Sequence, residues 1–117
     1  MQRAAITHAL FMTGIAIALV AGAPQRAGAQ DAKHGEQVYA AQKCSVCHSI
    51  AGKGGKASPL DGVGAKLSAA DLRQWIVEPV EMAKKTGSTK KPVMPKKYDT
   101  LPAADIDALV AYMQSLK

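Results

Sequence analysis

Two cysteines with two residues between them, the second followed at once by a histidine, stand in Cys44-Ser45-Val46-Cys47-His48, and they are the only cysteines in a chain of 117 residues. A C-x-x-C-H arrangement fits covalent attachment of a c-type haem, because two thiols at this spacing can add across the two vinyl groups and the adjacent imidazole then reaches the iron. Three other chemistries use a cysteine pair: a plain disulfide, a thioredoxin-like redox pair and a zinc site. A thioredoxin-like pair belongs beside βαβ elements, which the sequence does not suggest, and structural zinc takes four ligands where this chain offers Cys44, Cys47, His48 and at most His34.

The start of the chain has the layout of an export signal. Met1 to Ala9 carries Arg3 and no acid, Leu10 to Ala23 is apolar apart from Thr13, and Ala27-Gly28-Ala29 is a small-residue cleavage site. The apolar run is shorter than the roughly 20 residues of a membrane-spanning helix, and Pro24 ends it. Residues 1–29 are therefore read as a secretory signal peptide and residues 30–117 as one small domain without a transmembrane segment, located in the periplasm.

At that size a polypeptide buries little apolar area by itself. Beyond residue 29 the aromatic residues are Tyr39, Trp75, Tyr98 and Tyr112, too few for an ordinary core, so a large flat cofactor is expected to supply the missing bulk. Removing the leader leaves thirteen Lys and Arg against nine Asp and Glu, a net of +4. Lys84, Lys85, Lys90, Lys91, Lys96 and Lys97 lie in one acid-free stretch that can steer an acidic partner, or can simply keep a loop soluble. Nucleic acid is not expected, because the stretch has neither interleaved aromatics nor a reading helix.

Helical patterns dominate. Asp31 to Lys43 holds good helix formers and no proline, predicting a first helix that runs up to Cys44. Gly52 to Gly64 reads as an irregular loop. Ser68 with Asp71 three residues later predicts a capped helix to about Glu78, interrupted by Pro79 and carrying Leu72, Trp75 and Ile76 on one face. Met82 to Thr100, broken by Gly87, Pro92 and Pro95, reads as a loop, and from Pro102 onward Ile106, Leu109, Val110, Met113 and Leu116 recur at helical intervals. The expectation is a single all-α domain of three to four helices around one covalent haem.

A haem iron held by one histidine needs a second ligand to shuttle electrons with no open position, and methionine sulfur raises the reduction potential. Met82, Met94 and Met113 are the candidates. Met113 lies on an apolar helix face that suits core filling, while Met94 is presented by a loop stiffened by Pro92 and Pro95 and is favoured, with Met82 second. His34, on a polar helix face, reads as a solvated residue, and His8 belongs to the leader.

Taken in order, the Cys44 to His48 motif, Leu60-Asp61-Gly62-Val63-Gly64, Leu72-Arg73-Gln74-Trp75-Ile76, Val93-Met94-Pro95 and Leu109-Val110-Ala111-Tyr112 resemble a small bacterial class I c-type cytochrome over nearly all of residues 31–117. The resemblance implies that the first and last helices cross closely, with Gly35 and Tyr39 against Leu109 and Tyr112. It also implies that the carbonyl of Pro59 accepts a hydrogen bond from the ligand histidine, and that Trp75 stands near a haem propionate. Simple packing is the other reading of Trp75. The chain departs from the family pattern of Gly-Pro, one residue and Leu, having Ser58-Pro59-Leu60 instead.

The function this implies is that of a periplasmic electron carrier, not an enzyme, probing acidic redox partners among membrane or periplasmic oxidoreductases as a monomer. Two alternatives remain. A dedicated cytochrome c subunit of a larger oxidoreductase or oxidase complex would bind one partner permanently, and a haem peroxidase or gas sensor would need an open sixth position on iron.

Overall fold

Ala, Gln, Lys and Glu populate the segment before the cysteines, and the chain is helical there: α1 spans Ala27–Ala41. The computed structural model describes residues 27–117, with side chains from residue 31. Residues 1–26, which hold most of the segment assigned to the leader, lie outside the described residues. Lys43 adopts a left-handed conformation (φ 56°), which stops α1 short of the expected Lys43 and turns the backbone into a 3-10 turn at Cys44–Val46.

The final helix, α5, spans Ala103–Ser115 and buries Ile106, Ala108, Leu109, Val110 and Met113. Its apolar face packs with Val38 and Tyr39 of α1, and with Leu72 and Ile76 from a helix described below, in one cluster. Full burial of each large aliphatic side chain there contributes about 1.5–3 kcal/mol. The α1–α5 crossing is close at Gly35, where a side-chain carbon would overlap the backbone carbonyl of Ala108 and stand 2.6 Å from Cβ of Tyr112. One turn further on, the rings of Tyr39 and Tyr112 meet edge to face, 5.7 Å apart with an interplanar angle of 71°. His34, read as solvated, has a partner: its Nε2 lies 2.8 Å from Asp105 Oδ1, joining α1 to the start of α5.

Between the cysteines and the middle helices, Ser49–Ile50 (β1) and Lys53–Gly54 (β2) form a two-residue antiparallel pair, with Ser49 opposite Gly54 and Ile50 opposite Lys53. A short helix, α2, spans Val63–Lys66. Helix α3, Ala69–Val77, begins as expected, with the Asp71 N–H donating to Ser68 Oγ at 3.1 Å, and it buries Leu72 and Ile76. Arg73 on its outer face pairs with Asp107 of α5.

One expectation is corrected. Pro79 does not merely interrupt; it opens a new helix, α4, Pro79–Thr86, in the first part of what reads as a loop. The local signals agree with that outcome: proline at the first position, Glu81 in the first turn, Lys84 and Lys85 in the last, and Gly87 closing in a left-handed conformation (φ 65°). Pro79 and Met82 are both buried. The described residues thus form an all-α domain of five helices rather than three or four, with one small hairpin. No described helix is long and apolar enough to cross a membrane.

Candidate haem site

The turn that follows Lys43 gathers the motif residues on one side. Val46 N–H donates to Lys43 O at 3.1 Å and His48 N–H to Cys44 O at 3.1 Å, so Cys44, Cys47 and His48 follow one another within a single turn. All three line one cavity of about 770 Å³, a size suited to an organic cofactor. The two cysteines are unbridged, half-buried thiols, and burial pushes the Cys44 thiol up from its usual range, favouring the neutral form. Among the described residues no group of three or more His, Cys, Asp or Glu side chains converges as a metal-holding cluster, which leaves the zinc reading without its ligands.

His48 is oriented by the segment beyond the hairpin. Its Nδ1 lies 2.8 Å from the backbone oxygen of Ser58. A carbonyl can only accept, so Nδ1 carries the proton and the neutral ring keeps a free lone pair on Nε2. The carbonyl is that of Ser58, not of Pro59 as the resemblance implies. Proline still contributes from next door, because it biases the preceding residue toward extended backbone and so limits the directions in which the Ser58 carbonyl can point. Pro59 itself lies in the cavity wall.

The three methionines separate. Met94, in the segment between Gly87 and Lys97, is half-buried and lines the same cavity as His48. Met113 is also in the wall, from the buried face of α5. Met82, only 2% exposed, is packed in α4 and is not part of the wall. Trp75 of α3 lines the cavity half-buried, and its indole N–H has no hydrogen-bond partner among the described residues. Lys90, Lys91 and Lys97 also border the cavity, Lys97 with its ammonium 5.2 Å from the centre of the Tyr98 ring.

Three contributors escape a reading of side-chain types. Ser58 acts through its backbone. Tyr39, expected only at the helix crossing, also donates its hydroxyl to the His48 carbonyl at 3.3 Å, and burial raises its pKa to about 12, so the phenol stays protonated as a donor. Tyr98, buried in the 3-10 turn Tyr98–Thr100, closes part of the wall. The proline in Ser58-Pro59 is a signal for the first of these, since it marks an extended residue ahead of it; for the other two the sequence carries none.

The donor set fits a c-type haem. Two thiols within one turn suit two thioether bonds, Nε2 of His48 is free to bind iron, Met94 offers a thioether, and the remaining wall is largely aliphatic and aromatic. No curated protein and no solved structure matches the chain. Its sequence does match the family model described as cytochrome c over residues 32–117, which takes in every residue of the cavity wall. The chain belongs to the cytochrome c family, whose members attach haem covalently and serve as electron carriers.

Proposed function

We propose that this protein is a periplasmic electron carrier that holds one haem c through Cys44 and Cys47, with His48 and Met94 as the two axial ligands. The observation that carries the reading is that these four side chains line a single apolar cavity. When bound, haem supplies an iron that takes up and releases one electron. Everything else is the work of the chain. The two sulfurs fasten the group, the Ser58 carbonyl fixes the His48 tautomer and makes Nε2 a stronger donor, and the aliphatic wall excludes water. Were His48 and Met94 both to hold the iron, no position would be left for peroxide or a gas, which would suit a carrier better than an enzyme or sensor.

The N-terminal leader supports export, and covalent attachment through two cysteines is compatible with that compartment. Acidic redox proteins are the expected partners. Lys84 is paired with Glu81 and Lys96 with Glu78, each at 2.9 Å, whereas Lys90 and Lys91 at the cavity border have no carboxylate within 4.0 Å among the described residues. The unpaired ammonium groups are the ones available to a partner.

A second reading, a dedicated subunit of a larger oxidoreductase, is favoured by one observation: Val46, 73% exposed, and Val93, 40% exposed, both border the cavity. A permanent interface would cover them. Salt separates the two readings, because transient docking by lysines weakens steeply with ionic strength and a permanent apolar interface does not. The first experiment is denaturation of the purified periplasmic protein followed by gel separation. Haem that stays with the polypeptide supports the proposal, and a colourless chain refutes covalent attachment.

A further inference from the structure

Two backbone segments, 45–51, which includes most of the motif, and 55–61, are joined by a series of hydrogen bonds. Gly55 N–H donates to Ser45 O at 2.8 Å, Ser58 N–H to Cys47 O at 3.2 Å, and Leu60 N–H to Ser49 O at 2.9 Å. The His48 Nδ1–Ser58 O bond lies within this ladder, between the rungs at Cys47 and Ser49. The ladder ends at Ala51, whose N–H donates to the carboxylate Oδ1 of Asp61 at 2.7 Å.

Ala51 sits at the tip of the β1–β2 hairpin with φ 51°, followed by Gly52 at φ 77°. Glycine accepts that conformation freely, but a residue with a Cβ adopts it at a cost and persists there only when something holds it. The short, charge-assisted bond from Asp61 is that hold. Asp61 belongs to the same short segment as Ser58, so the bond that fastens the hairpin tip also fixes where the Ser58 carbonyl lies.

We infer that Asp61 is a positioning residue for His48: by anchoring the left-handed Ala51 it sets the register that places the Ser58 carbonyl on Nδ1. This rests on the proposal that His48 binds the haem iron. A loosened Nδ1–H bond makes the imidazole a weaker donor, which stabilises oxidised iron less and raises the reduction potential.

The test uses the haem-loaded protein and three variants, Asp61→Asn, Asp61→Ala, and Asp61→Ala combined with Ala51→Gly. Two quantities are read: the midpoint potential, and the hydrogen-exchange rate of the His48 ring N–H by NMR. Removing the charge alone raises the potential in both Asn and Ala variants. The inference expects a further upward shift and faster N–H exchange in Asp61→Ala only, because asparagine keeps an acceptor for Ala51, and it expects the added glycine to reverse both extra effects. Equal potentials and equal exchange rates in the Asn and Ala variants would overturn it. Should Asp61→Ala fail to yield holoprotein, the double variant is compared with Ala51→Gly alone, where matching exchange rates support the inference and faster exchange in the double variant overturns it. The spectrum of the unaltered protein is recorded first; failure of His48 ligation would appear there, while failure of this inference appears only among the variants.

Discussion

The Nδ1 atom of His48 donates to the carbonyl of Ser58 across 2.8 Å, and that carbonyl belongs to the residue directly before Pro59. Proline narrows the backbone freedom of Ser58 in the folded and unfolded chain alike. Pro59→Ala should therefore lower stability by about 0.4–1 kcal/mol, measured by denaturant unfolding, and should speed exchange of the His48 ring N–H. Unaltered exchange would mean that the hydrogen-bond ladder alone aims the carbonyl.

Two glycines should respond to alanine for different reasons. At position 35 the new methyl group meets the backbone of Ala108 and the Cβ of Tyr112, neither of which can swing aside, so Gly35→Ala should cost about 1–3 kcal/mol. At position 52 nothing lies within 4 Å and only the positive φ matters, so Gly52→Ala should cost about 1 kcal/mol. Equal losses in chemical denaturation would argue against the close α1–α5 crossing.

Met82 is 2% exposed in α4 and outside the cavity wall. Met82→Ala should lower stability by about 2–5 kcal/mol while leaving the visible spectrum as it was. A changed spectrum would make Met82 the axial ligand in place of Met94.

Helices α3 and α5 were legible in the sequence because their signals are local: Ser68 caps the first, and Ile106, Leu109, Val110 and Met113 repeat at helical spacing in the second. Helix α4 was missed although each of its signals is present, because Pro79 can end a helix or begin one and its neighbours decide which. The β1–β2 pair has two residues per strand and no periodicity to read, since it exists only where the chain doubles back on the motif turn. At the site, Cys44, Cys47 and His48 are marked by side-chain type and spacing, and Met94 by its flanking prolines. The Ser58 carbonyl is backbone, which every residue has, and the Tyr39 hydroxyl meets His48 only through tertiary packing.

Tyr39 gives a pH dependence with a definite sign. Burial raises its pKa to about 12, against an ordinary value near 10, and burial persists when Cys44 is tied up as a thioether. The folded protein thus holds the phenolic proton more tightly than the unfolded chain. That contribution to stability is fully present below pH 10 and is lost as pH rises toward 12. Denaturant midpoints at pH 8 and pH 11 should fall less for Tyr39→Phe than for the parent, and parallel declines would show that the hydroxyl is not held as described.

Whether Met94 binds the iron can be read from the visible absorption spectrum of Met94→Ala beside that of the unaltered protein. The parent should show a low-spin, six-coordinate spectrum with a methionine-to-iron band. The variant should lose that band and gain a response to cyanide or carbon monoxide. A band that survives in Met94→Ala, or a parent protein that already binds those molecules readily, would contradict ligation by Met94.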